Sequence, residues 1–101
     1  MPDEAAWIRR VQRDGDRDAA GALVAAYYPE LGRYVTRQLA DSSEALDVTQ
    51  EVFVAALAHI DAFDPRRASF RTWLYRIATN KVIDRQRARR RRLDFEAPLT
   101  D

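Results

Sequence analysis

Apolar residues recur at helical spacing in four segments, divided by short polar breaks. Glu4 to Arg13 is predicted to form a short helix, with Trp7, Ile8 and Val11 on one apolar edge. Asp14-Gly15-Asp16 stops it, because Gly accepts the positive φ of a helix terminus and an aspartate can cap the next helix. From Arg17 a longer helix carries Ala20, Leu23, Val24, Tyr27, Leu31, Tyr34, Val35 and Leu39 as a core-facing stripe. Pro29 removes a backbone donor from it, so a bend or a break is expected there. Asp41-Ser42-Ser43-Glu44 reads as a turn with a capping box. The helix after it, LDVTQEVFVAALAHI, has one apolar arc of Leu46, Phe53, Ala56, Leu57 and Ile60, and a second of Val48, Val52 and Ala55. Ile60 to Ala68 is a loop turning at Asp64-Pro65, and Ser69 can cap a fourth helix. In that helix Phe70, Trp73, Leu74, Ile77, Ala78 and the methylene stem of Lys81 face the core. The expectation is an all-α fold, a compact bundle of about four helices.

Two faces remain outside this core. On the third helix a narrow strip holds Asp47, Gln50, Glu51, Val54 and Ala58, within about 80° of one another at 100° per residue. It reads either as a solvent stripe or, given its smooth Val/Ala continuation, as a docking surface for a basic helical partner. On the fourth helix Arg76, Asn80, Ile83 and Arg87 form an outward stripe. From Ser69 to Arg90 this helix would run about 30 Å, so its arginine end should project beyond the core. Leu93 to Asp101 has no period and reads as a frayed tail or the start of a linker, leaving residues 1–92 as the domain.

Charge sharpens the contrast. Between Pro65 and Arg92 stand eleven Lys/Arg and one acid, Asp84, in a chain whose net charge is only +1. Residues 1–64 balance at −6 and residues 65–101 at +7, so the halves face different partners or each other. A basic helix with aromatic and hydrogen-bonding side chains at its front is the footprint of a nucleic-acid surface. A solvated helix end whose arginines favour the C-terminal dipole is the alternative.

Composition removes other chemistries. With 101 residues, 47% of them apolar, there is material for a single core. No cysteine is present for a disulfide or thiolate site, and the single histidine, His59, excludes a multi-histidine metal site. No phosphate-binding glycine loop or zinc-protease motif occurs, and His59 has no nucleophile beside it in sequence. The expectation is a protein that is not an enzyme and needs no cofactor. No apolar run approaches the ~20 residues of a membrane span, and the acidic, polar N-terminus is unlike a signal peptide, so a cytoplasmic protein without membrane insertion is expected.

The residues also resemble a family. D-x-x-Q-E-x-F at Asp47, Gln50, Glu51 and Phe53, then Phe63, Phe70, Trp73 and Leu74 in F-x(6)-F-x-x-W-L, then N-x-x-x-D at Asn80 and Asp84, are similar to region 2 of bacterial sigma factors, particularly the extracytoplasmic-function (ECF) group. The resemblance implies a transcription-initiation domain. Asp47, Gln50, Glu51 and Val54 would bind the β′ coiled coil of core RNA polymerase. The loop and fourth helix would capture the non-template single strand of the promoter −10 element, with one base turned out into a pocket. The implied DNA-binding positions are Phe63, Asp64, Arg66, Ser69, Phe70, Arg71, Tyr75, Arg76, Asn80, Lys81, Asp84 and Arg87, with Arg85 and the later arginines on backbone phosphate. Phe70, and more so Trp73, can alternatively be core. An anti-sigma factor is a further implied partner. Against the family pattern, a second, −35-reading domain is expected to be missing here, the chain being either an excised domain or one whose tail from Leu93 is a truncated linker, and Ala68 stands where the family often has Gly. An interaction or regulatory module without DNA contact is the rival reading, and a small duplex-binding protein a third. The first reading requires Asn80 at the surface and Glu51 not locked internally against the arginine helix.

Overall fold

In the computed structural model, which describes residues 3–96, the chain folds as four α-helices and one 3-10 turn. Helix α1 (Glu4–Asp14) is started by Asp3, whose Oδ1 accepts the Ala6 N–H at 3.0 Å, and closed by Gly15 at φ 61°. Asp16 then caps α2 (Arg17–Leu39) by accepting from the Asp18 and Ala19 amides. Of the bend or break expected at Pro29, the break does not occur. The helix runs through it unbroken, with Leu23 and Leu31 buried on either side of an exposed Pro29. Core packing on both sides outweighs the loss of one backbone bond at a solvent-facing position.

Helix α3 (Ser42–Ala58) begins earlier than its apolar pattern, because Asp41 accepts the Glu44 N–H at 3.0 Å. Only this half of the expected capping box forms, since the Glu44 carboxylate turns to Arg85 at 3.6 Å. Leu46, expected in the core arc, is 51% exposed. It shares an azimuth with buried Phe53 two turns away, so the difference arises along the axis. Tyr28 stacks on Phe53 at 5.6 Å, whereas Leu46 borders an open groove of about 690 Å³ shared with Pro29, Gly32 and Arg33 of α2.

Helix α2 is the hub, packing against α1, α3 and α4. The core unites Ile8, Leu23, Leu31, Val35, Leu39, Val48, Val52, Phe53, Leu74, Ala78 and Val82. Thr49, the buried polar residue, donates its hydroxyl to the Ala45 carbonyl at 2.7 Å, so its burial leaves no unsatisfied group.

Helix α4 (Phe70–Glu96) has 27 residues, about 40 Å of helix. Val82 is its last buried residue. The later turns project, which is why the molecule measures 61 × 23 × 20 Å. The helix passes the expected end of the domain at Arg92 and continues to Glu96, because Arg, Gln and Ala are good helix formers and no Gly or Pro intervenes. The rest of the expected tail, 97–101, lies outside the described residues.

Candidate functional site

The loop entering α4 is a sequence of tight turns. After the 3-10 turn Ile60–Ala62, the Phe63 N–H bonds the Ile60 carbonyl at 3.0 Å. Asp64 organises the next turn, its Oδ1 accepting the Arg66 N–H at 2.9 Å and its carbonyl the Arg67 N–H at 3.0 Å. The Arg66 guanidinium grips both oxygens of the same carboxylate at 3.2 Å, and these bonds hold the Asp64 carboxyl below its ordinary pKa. Ser69 caps α4 as expected, accepting the Thr72 N–H at 3.1 Å. Ala68 needs no glycine: Ala40 is the non-glycine residue with positive φ among those described.

Of two aromatics implied at the base pocket, Phe70 takes the core position its helical spacing predicted, and Phe63 lines the hollow without presenting a free ring. Phe63 and Phe70 are buried, 5% and 4% exposed, and meet edge to face at 5.6 Å. Neither offers a free ring face for a base in this conformation. They form, with Tyr27 and Trp73, the aromatic floor beneath the loop. Trp73 is half-buried, part floor and part wall, which joins the two readings left open for it.

Above this floor lies a polar hollow of about 450 Å³ lined by Ala62, Phe63, Asp64, Arg67, Ala68, Trp73 and Arg76. Arg76 also borders a second hollow of about 560 Å³ along α4, shared with Arg71, Thr72, Tyr75, Thr79 and Asn80. Asn80 is exposed, so its side-chain carbonyl and NH2 can both meet a base edge. Arg67, Thr72 and Thr79 do not stand out in the sequence as site residues. Arg67 carries a legible signal as a cation inside the turn, whereas the threonines depend on helix orientation alone.

The arginines of α4 divide by what faces them. Arg71 pairs with Glu30 of α2 at 2.6 Å and lies 5.7 Å from the Tyr75 ring centroid. The Tyr75 hydroxyl donates to the same carboxylate at 3.3 Å, and its pKa is raised by burial and then by the Glu30 charge. Arg85, expected on phosphate, instead joins Glu51 at 2.5 Å and Glu44 at 3.6 Å. Lys81, also expected on DNA, lies on the flank facing α3, in a groove with Asp47, Gln50, Glu51, Val54 and Ala55. Ile83, Asp84 and Arg87 are exposed, and among the described residues Arg67, Arg76, Arg87 and Arg89 to Arg92 have no ion-pair partner.

On α3, Asp47, Gln50 and Val54 are exposed, Val54 by 69%. Glu51 is tied to α4, yet its side chain keeps 47% exposure, so the strip is joined to the arginine helix without being sealed by it.

The chain's 23–92 segment matches the family model Sigma-70 region 2. The chain is 43% identical over 83 residues to the ECF RNA polymerase sigma factor SigW of Bacillus subtilis, covering 82% of this chain and 43% of SigW. It is 39% identical over 90 residues to the RNA polymerase sigma factor CnrH of Cupriavidus metallidurans, covering 88% and 47%. The chain thus spans about half the length of the curated relatives it matches. Among solved structures it is similar to an engineered region 2 of sigmaE in complex with GTAAAA, at TM-score 0.80 and 36% identity, covering 92% of this chain and 98% of that one. The helices, the loop and the motif residues they position thus agree with the match: the chain belongs to the Sigma-70 region 2 family.

Proposed function

We propose that this domain acts in transcription initiation, binding core RNA polymerase through α3 and capturing the non-template single strand of a −10 promoter element through the loop and the outer face of α4. The observation carrying this reading is that exposed Arg76 borders both the polar hollow under the loop and the neighbouring hollow along α4 that exposed Asn80 lines, whereas Asp47, Gln50 and Val54 line a separate groove between α3 and α4. The relative solved with GTAAAA supports the same reading.

The physical roles follow from the geometry. Asn80 reads a base edge, because an amide offers a donor and an acceptor side by side. Arg67 and Arg76 stand at the hollow's rim, where guanidinium groups stack on a base or bond its acceptors. The projecting arginines from Arg87 onward neutralise phosphate without reading sequence. Turning a base out of the stack costs a few kcal/mol, and these contacts offset it. The polymerase contact is assigned to Asp47, Gln50, Glu51 and Val54. No bond-making chemistry is assigned to the domain, and the role places it in the cytoplasm. Among the described residues no helix is long and apolar enough to cross a membrane.

The test is binding of single-stranded −10-like oligonucleotides across a salt series. The expected result is a steep loss of affinity with salt and a sequence preference that disappears in Asn80→Ala. Equal binding of every sequence by the wild-type protein would leave only a generic basic helix.

A further inference from the structure

Helix α1 carries no residue of either proposed surface, yet one of its side chains reaches the loop. Gln12, half-buried, donates from Nε2 to the Ile60 carbonyl at 2.8 Å and to the Phe63 carbonyl at 3.1 Å. These acceptors bracket the 3-10 turn, 48 and 51 residues away in sequence. The Ile60 carbonyl also accepts the Phe63 N–H, whereas among the described residues Gln12 is the partner found for the Phe63 carbonyl. Phe63 and Asp64 both line the polar hollow, and the Phe63 carbonyl belongs to the peptide that leads into the Asp64 turn.

Resting on the single-strand reading above, we infer that Gln12 is a positioning residue: by donating to both carbonyls it fixes the loop whose hollow receives one unstacked base, and so sets the discrimination at that one base position. Three features distinguish this from general stabilisation. The bonds are made to backbone carbonyls of the turn that leads into the loop, at two residues whose side chains are buried, and not to another helix. They orient the peptide immediately before Asp64, whose side chain is already held by Arg66 and cannot steer the loop from outside it. The loop residues Asp64 to Arg67 lack any hydrogen bond to another helix among the described residues, so on the side away from α4 they are held through Phe63.

The experiment compares wild type with Gln12→Met, which keeps the length and loses the donors, and Gln12→Glu, which places a carboxylate against two carbonyl oxygens. Each protein is titrated with a panel of single-stranded −10-like oligonucleotides in which one position at a time is changed, and backbone amide exchange is measured without DNA. In Gln12→Met, discrimination at one position should fall about tenfold, the loss expected of two ordinary hydrogen bonds, while the other positions keep their ratios. Exchange at the Arg67 and Ala68 amides should rise, with core amides unchanged, and Gln12→Glu should exceed Gln12→Met in both readouts. Unchanged discrimination and loop exchange would overturn the assignment, as would an equal loss at all positions that tracks a lowered Tm. A wild-type protein that discriminates at no position would refute the single-strand reading, and this role with it, whatever the loop exchange shows.

Discussion

Arginines of one helix lead different lives on its flanks and on its outer face. Arg71 and Arg85 look toward neighbouring helices, and each finds a carboxylate, Glu30 of α2 for the first and Glu44 and Glu51 of α3 for the second. Arg76 and Arg87 look outward and meet no acid among the described residues. The formal charge of the segment therefore overstates what an incoming polyanion encounters. Part of it is committed to cross-links that seat α4 on the bundle, and only the remainder is available to phosphate. Residue type does not decide which role an arginine takes; the azimuth on α4 and the acids of the facing helix do.

The sharpest way to break this comparison is along the axis of α4. Leu74→Ala, in the packed half where Leu74 is fully buried, should destabilise the domain by about 3 kcal/mol in chemical denaturation, whereas Leu93→Ala in the projecting half should stay within about 0.5 kcal/mol. A large effect at Leu93 would mean that the end of α4 is packed after all. The polymerase assignment comes next in size. Asp47→Ala combined with Gln50→Ala, which leaves the Arg85–Glu51 pair in place, should abolish pull-down of a β′ coiled-coil fragment and leave oligonucleotide binding intact, and an undiminished pull-down would remove α3 from the polymerase interface.

Between the two arginine classes the contrast is finer. Arg87→Ala should lower the slope of log affinity against log salt by about 0.7 for each phosphate that is no longer neutralised, with stability unchanged. Arg85→Ala should do the reverse, leaving the salt slope alone and costing about 1 kcal/mol of stability, as befits a part-exposed pair. If both variants change the slope alike, the division into cross-links and free cations is wrong. The smallest effect is a pH dependence. Tyr27, hydrogen-bonded to Glu4, and Tyr75, bonded to Glu30, both have raised pKa values, the first cause in each case being burial. A group whose folded pKa lies above its unfolded one contributes stability that is complete below the unfolded value and fades above it. Tm should therefore hold up to about pH 10, the ordinary tyrosine value, and decline beyond it. In Tyr27→Phe that decline should be shallower.

Much of this architecture was legible in the chain. The helical stripes, the aspartate cap before α3, the serine cap before α4 and the acidic strip all depend on local spacing, and each lies where its residues placed it. What was hidden depends on neighbours distant in sequence. The Arg71–Glu30 and Arg85–Glu51 pairs join residues 41 and 34 positions apart, so no helical wheel announces them. Leu46 looked like a core residue because its azimuth was right, and only the position of α2 leaves it open. Phe70 was read both as a core-facing residue and, through the resemblance, as a pocket residue, and Phe63 as a pocket residue; only the closure of four aromatic side chains on one another shows that both rings are buried. Gln12 carried no signal at all, since nothing near it in sequence shows where its amide points.

The most direct test is a map, by backbone amide chemical shifts, of the surface that a single-stranded −10-like oligonucleotide covers. Strand capture by the loop and the outer face of α4 predicts perturbations concentrated at Arg67, Arg76, Asn80 and Arg87, with Asp47, Gln50 and Val54 silent. Perturbations centred on the α3 residues, or confined to the arginines beyond Arg87 with Asn80 and the loop untouched, would contradict it.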